Sequence, residues 1–323
     1  MKFNEEYEEK PVIIIEDNHT DTSSQEEGEK PVIIIEDDGQ GDKKADDGKK
    51  PVKHRRLWPW ILLSVLATML VCFAGWKYYN YQRIYKELGV PSSVTSSENI
   101  AKLQKTPKSR VTPEVVFTTD SVLGVELNFY EMKGLKASIG FVEPTVREDS
   151  VYFYCPSIDY TRPTPKTARY LGTFVVHGRV LDSDTTRLGY CAMANGNMVI
   201  GVAREEDVKD YCVEQKGDFF RQFVLVSDGV LPPEFQLHGK MERRALARMG
   251  NRYFVVESVN KETMWDFADA LREYGFIDAI YITGGNARGF YRTADGTTTE
   301  FGVKSRHYRR DKGVRPYLVF KAR

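Results

Sequence analysis

An apolar β-type run, Ile277-Asp-Ala-Ile-Tyr-Ile-Thr283, leads straight into Gly284-Gly285-Asn286. A strand that ends in paired glycines presents backbone N–H groups at a turn where no Cβ holds a ligand off, and such a turn can cradle an anion. A hairpin over GGNARGFYRTADGT explains the same glycines by sterics alone. Within the run, Asp278 is either the solvent-facing member of an alternating strand or an ion-pair partner for Arg243. The other chemistry-bearing side chains stand apart. His177 and His238 have no Ser or Cys partner at a fixed spacing, and Ser227 and Ser258 lack a nucleophile-elbow pattern. With no CxxC and no Cys/His cluster, neither a metal site nor a cofactor is expected.

The elements that must position this turn are mostly strands. From about Val111 the chain is a succession of short β-type runs (VVFTT, VELNFYEM, SIGFVE, VYFYC, YLGTFVVHGRVL, GYCAMANGNMVIGV, FVLVSDGVL) separated by Gly, Asp-Gly, Asn-Gly and Pro. Asn195-Gly196 and Asp228-Gly229, each between alternating apolar residues, predict two tight hairpins. Further on, Tyr253–Ser258 reads as a strand, and Asn260 can cap the helix that follows. Met264, Phe267, Ala268 and Leu271 give that helix its apolar face, and Gly275 its left-handed end. With Ile277–Thr283 this makes a β-α-β unit, which predicts two parallel strands side by side with the helix over one face. The fold class is therefore α+β: one N-terminal transmembrane helix, then a mainly antiparallel β domain with a C-terminal β-α-β unit.

Twenty uncharged residues, Leu57 to Trp76, precede that domain. At about 1.5 Å per residue they match the ~30 Å of a bilayer core, and Trp58, Trp60 and Trp76 lie at the ends, where amphipathic rings favour the interface. Lys43, Lys44, Lys49, Lys50, Lys53, Arg55 and Arg56 stand before the span, against Lys77, Arg83 and Lys86 after it, so the N-terminus is expected in the cytoplasm and the large domain in the periplasm or outside the cell. Residues 1–50 hold 16 acidic and 7 basic residues, a composition that favours disorder, and they repeat: Glu9–Asp17 (EKPVIIIED) recurs as Glu29–Asp37. The Val12–Ile15 and Val32–Ile35 cores suit strand addition to a cytoplasmic protein partner. The boundaries read as tail 1–56, span 57–76, spacer stalk 77–110 and domain 111–323. Residues 57–323 carry 36 basic and 30 acidic residues, and Lys304, Arg306, Arg309, Arg310, Lys312 and Arg315 form the one cluster, read as a solvated terminal strand. That density does not suit nucleic acid. Cys155, Cys191 and Cys212 allow one disulfide at most.

The order of the segments resembles the phosphodiester glycosidase family. In that family a segment of the form LV-x-DG precedes R-T-A-I-G, then a strand, a helix ending LGA-x-DA, and LNLDGGGS. This chain reads Leu225-Val-Ser-Asp-Gly229, Arg243-Arg-Ala-Leu-Ala247, YFVVES, KETMWDFADALREY, Gly275-Phe-Ile-Asp-Ala279 and Ile280-Tyr-Ile-Thr-Gly-Gly-Asn-Ala287, while VVHGRVL and MANGNMVIGV are similar to the family's Gly-rich hairpins. The match covers roughly residues 152–292. It implies chemistry on a phosphate-linked sugar or cell-envelope glycan. It also implies a catalytic centre at Thr283 with Asp278 and Asp228 as nearby carboxylates, and a substrate-binding set of Arg243, Gly284, Gly285, Asn286 and Arg288, in which Arg243 holds phosphate by a bidentate contact. The family's aspartate falls on Thr283, its third glycine and serine on Asn286 and Ala287, and its N-G-x-F-F segment on Tyr152-Phe-Tyr-Cys155. Threonine neither protonates a leaving group nor opposes an oxocarbenium-like charge. Three readings follow: a hydrolase using another carboxylate, Asp228, Asp278 or Asp295; a catalytically lapsed glycan-binding domain; and a bitopic scaffold that recruits a partner through its cytoplasmic repeats.

Overall fold

The computed structural model describes residues 58–87, 92–106, 111–164, 167–203, 205–235, 237–304 and 311–323. The repeats at Val12–Ile15 and Val32–Ile35 and the cations before the span lie outside the described residues. Helix α1 (Trp58–Glu87) runs eleven residues past Trp76. Its Trp58–Tyr79 stretch is, among the described residues, the one helix long and apolar enough to cross a membrane. The hydroxyls of Ser64 and Thr68 are satisfied within the helix, Ser64 by Ile61 O (3.0 Å) and Thr68 by Ser64 O (2.9 Å), so neither needs water.

Helix α2 (Ser96–Gln104) corrects the expectation of a plain spacer. Thr95 and Glu98 form a reciprocal capping box at its start, and it buries Leu103 and Asn99 completely or nearly so. Leu103 joins a core with Val175, Tyr190, Val199, Phe219 and residues of α3 (Asp207–Glu214), and Asn99 Nδ2 donates to the Tyr190 hydroxyl at 2.6 Å. The segment folds as part of the domain.

The named strands pair antiparallel throughout. A six-stranded sheet runs Glu114–Val122, Val125–Lys133, Arg252–Ser258, Arg244–Met249, Asp278–Tyr281, Val224–Val226. A five-stranded sheet is centred on Asp218–Gln222, another on Val151–Pro156, and a ribbon joins Tyr160–Thr164 to Thr167–Tyr170. Asn195 and Gly196, at φ 54° and 74°, close the expected hairpin. Asp228 and Gly229 take the same left-handed pair, 49° and 73°, but close only the single bridge Ser227–Val230.

Strands Arg252–Ser258 and Asp278–Tyr281 do run parallel, yet they are not neighbours. Arg244–Met249 lies between them, with Leu246 paired to Val255 on one side and to Ile280 on the other. The reason is local: a hairpin across Gly250 gives Arg252–Ser258 its antiparallel partner before the chain crosses over. Helix α4 (Met264–Tyr274) then covers the sheet, burying Met264, Phe267, Ala268 and Leu271 against Phe129, Ala247, Val256 and Ala279. Thr263, not Asn260, caps it by accepting Asp266 N–H at 3.0 Å, and Gly275 ends it at φ 105°. Asn260 instead reaches Glu126 (3.3 Å). On its other face the sheet supplies Tyr130, Leu246, Val255 and Ile280 to a core shared with both five-stranded sheets. Cys155 and Cys191 lie in that core and Cys212 in the α2/α3 core; all three thiols are free, and burial raises each above its usual range.

Candidate functional site

Strand Asp278–Tyr281 is buried along its length, and its continuation leaves the sheet toward Pro156–Tyr160, with Ile282 N–H donating to Arg244 O (3.0 Å) and Thr283 N–H to Ser157 O (3.1 Å). The turn that follows is held from inside. Arg244, with no exposed surface, is ion-paired to Glu257 and donates Nη2 hydrogen bonds to Gly285 O (3.2 Å) and Ala287 O (2.9 Å). Glu257 also accepts the Tyr130 hydroxyl at 3.1 Å, whose pKa is driven up first by burial and then by that charge. Gly284 sits at φ 81°. Gly285 is required for a different reason: a Cβ there would stand 2.0 Å from Glu242 O. Close packing against the protein's own backbone, rather than the approach of a ligand, fixes that glycine.

Beyond the turn lies a cavity of about 330 Å³, walled by Ile158, Asp159, Thr283, Gly284, Asp311 and Arg315. The Thr283 hydroxyl donates to the Asp159 carboxylate. In the same wall Arg315 Nη2 stands 3.4 Å from Asp311 Oδ2, and its Nε 3.4 Å from the Tyr160 hydroxyl. Asp311 is buried, and the N–H groups of Val314 and Arg315 bond its backbone carbonyl (3.2 and 3.1 Å). Asp159 also feels Arg187, whose own pKa is lowered by burial and held up by Asp159 and Asp184. Arg187 lies over the Phe223 ring (4.4 Å) and bonds Gln222 Oε1 at 2.6 Å. The site therefore sets two carboxylates, one guanidinium beside them and a phenol around a glycine turn. Among the described residues no group of His, Cys, Asp and Glu could hold a metal ion.

No family model matches the sequence, and no curated protein does. Among solved structures the fold is similar to the zebrafish N-acetylglucosamine-1-phosphodiester alpha-N-acetylglucosaminidase catalytic domain, auto-inhibited by its pro-peptide, with TM-score 0.46 and 12% identity over 68% of this chain and 86% of that one. It is also similar to a hypothetical protein from Synechocystis, with TM-score 0.45 and 9% identity over 65% and 62% of the two chains. The likeness is distant and one of fold.

The residues expected to form the site divide into groups. Thr283 and Gly284 line the cavity, while Gly285 and Asn286 complete the turn, with Asn286 O accepting Val303 N–H at 2.6 Å. Arg288 is bound to Glu300 (2.6 Å). Arg243 is wholly buried and outside the cavity wall. Its Nε and Nη2 donate to Glu262 O (3.0 Å) and Gly239 O (2.6 Å), and burial lowers its pKa. Asp278 faces neither solvent nor Arg243: it is buried in an ion pair with Arg248 and accepts Asp228 N–H at 3.3 Å. The Asp228 carboxylate accepts Ser93 N–H. Both lie at the far end of the strand, five residues or about 16 Å from Thr283. Asp295 is engaged in its own turn with Thr293 and Thr297. The carboxylates of the cavity, Asp159 and Asp311, were not singled out by sequence. Asp311-Lys-Gly-Val-Arg315 has the Asp/Arg i,i+4 spacing that could have drawn attention, and Arg315 is a wall of this cavity rather than part of a solvated strand.

Proposed function

We propose that the cavity at Thr283-Gly284 binds a phosphate-linked sugar and cleaves its glycosidic bond, with Asp159 and Asp311 as the carboxylate pair and Arg315 as the phosphate contact. One observation carries this reading: the Asp159 carboxylate accepts the Thr283 hydroxyl at the lip of the glycine turn, and so stands beside the motif position where the resembling family has its aspartate. A second carboxylate lining the same cavity supports it, since glycosidic cleavage uses two, one to protonate the leaving oxygen and one to oppose the developing positive charge. The cavity's volume suits one sugar unit with its phosphate. In this reading α1 anchors the protein in a membrane, with the tail cytoplasmic and the domain outside.

The test uses the detergent-solubilised full chain and a panel of sugar-1-phosphodiesters, with phosphate-free glycosides as controls. Released sugar is measured together with the midpoint of thermal unfolding, which a ligand bound only by the native state raises. Asp159→Asn and Asp311→Asn are each expected to lower turnover by about 10²-fold or more, and Arg315→Gln to abolish the thermal shift. A thermal shift without turnover would leave a glycan-binding domain that has lost catalysis. The absence of both shift and turnover across the panel would overturn the proposal.

A further inference from the structure

We infer that the domain carries a second ligand site, a basic groove at the end of the six-stranded sheet opposite Thr283, which takes the phosphates of an extended phosphate-bearing glycan. Two cavities of about 360 and 240 Å³ adjoin there, sharing Met198, Asn251, Tyr253 and Arg323 in their walls. They share no wall residue with the cavity at Thr283. Arg248, at the wall, pairs with Asp278, whereas Thr283 continues the other end of the Asp278 strand.

The charges in the groove are not balanced. Three of its basic residues are neutralised: Arg248 by Asp278, Arg252 by Glu131 (3.7 Å) and Lys133 by Glu114 (3.2 Å). Lys102, Lys105 and Arg323 have no acidic side-chain partner among the described residues, and Glu131, already facing Arg252, is the one acidic side chain in either wall. Three like charges along one concavity repel one another, and an anion laid among them removes that cost while gaining charge-assisted hydrogen bonds.

The backbone that carries the two lysines is also held in place. Leu103 buries α2 against the domain, and Asn197 Nδ2 donates to Leu103 O (3.2 Å) and to Lys105 O, fixing the end of the helix that carries both lysines. Among the described residues Lys102 Nζ hydrogen-bonds Asn99 Oδ1, at 3.3 Å. Arg323 donates Nε to Leu135 O (3.1 Å), which leaves its two Nη groups without a partner among the described residues. Asn251 and the half-buried Tyr253 ring, anchored through its hydroxyl to Met198 O, add an amide and an aromatic face to the same walls. Amides and aromatic faces suit sugar hydroxyls and sugar rings, and the cations suit phosphate. A phosphate-bearing glycan combines both.

The experiment is calorimetric titration of the detergent-solubilised full chain with inorganic tripolyphosphate, a poly(glycerol phosphate) oligomer and a phosphate-linked oligosaccharide, at 50 and 300 mM NaCl. All three are expected to bind, more weakly at the higher salt, with the oligosaccharide tightest. Lys102→Gln/Lys105→Gln should weaken binding about tenfold or more, while the thermal midpoint stays within a few degrees of wild type. Asp159→Asn should leave this affinity unchanged, so failure here is distinguishable from failure of the cavity at Thr283. The proposal is overturned by no binding, by unchanged affinity in the double variant, by equal binding of an oligogalacturonate of the same charge, or by a preference for anionic phospholipid vesicles over the oligosaccharide.

Discussion

Arg244 illustrates how a buried charge can be justified by what it holds. Its Nε and Nη2 meet Glu257 in the core, the Nε at 2.5 Å, and Nη2 also reaches the carbonyls of Gly285 and Ala287. Arg244→Ala would leave Glu257 as a buried, unpaired carboxylate and release two turn carbonyls, so a loss of about 3–5 kcal/mol is expected. Urea denaturation measures it, and a loss below about 1 kcal/mol would show that the pair is dispensable. Gly285→Ala should destabilise too, because its Cβ meets backbone rather than a flexible side-chain end. At this scale the sequence exposed the turn but not its supports. Thr283 and Gly284 were visible as a motif; Asp159, 124 residues earlier, was not, because only the tertiary fold brings it to the Thr283 hydroxyl. Arg243 carried the motif match, yet its neighbour Arg244 is the one that reaches the turn.

Elements were legible wherever one periodicity governed them. The apolar stripe of α4, its left-handed glycine end and the Asn195-Gly196 hairpin all follow from local pattern and local sterics. Sheet order does not, since Arg244–Met249 lies between two parallel strands by pairing with Arg252–Ser258 on one side and, across a crossover, with Asp278–Tyr281 on the other. Helix α2 was hidden by its surroundings: a Ser/Thr/Pro-rich stretch reads as spacer, and a nine-residue helix with one fully buried leucine gives a weak periodic signal. Its role has a measurable consequence. A chain begun at Ser92 should unfold cooperatively as a soluble domain, whereas one begun at Thr112 loses Leu103 from its core and leaves the Tyr190 hydroxyl without Asn99. Leu103→Ala within the longer chain should cost about 2–5 kcal/mol, as removal of a buried leucine does elsewhere. Equal urea midpoints for the two chain lengths would show that α2 is an ornament.

The whole molecule joins a long apolar helix to a three-sheet domain whose two concave regions lie at opposite ends of one strand. Length and composition fit α1 to a bilayer, but neither fixes which way the helix crosses. Direction rests on charge: seven Lys and Arg between residues 43 and 56 precede the span, against Lys77, Arg83 and Lys86 in the ten residues after it. Cations near a span resist translocation, so the larger cluster should remain in the cytoplasm. The consequence bears on both proposed sites, because a glycan outside the cytoplasm can reach them only if the domain is exported. Protease added to intact spheroplasts, with one epitope placed before Lys53 and another after Arg323, separates the alternatives. Digestion should remove the C-terminal epitope and spare the N-terminal one until the membrane is opened with detergent. Substituting Lys49, Lys50, Lys53, Arg55 and Arg56 with glutamine should make part of the population protect the domain instead, since only Lys43 and Lys44 of the flank that sets direction would then remain. A domain protected in the unaltered chain would place both cavities in the cytoplasm and remove an exported glycan as their ligand.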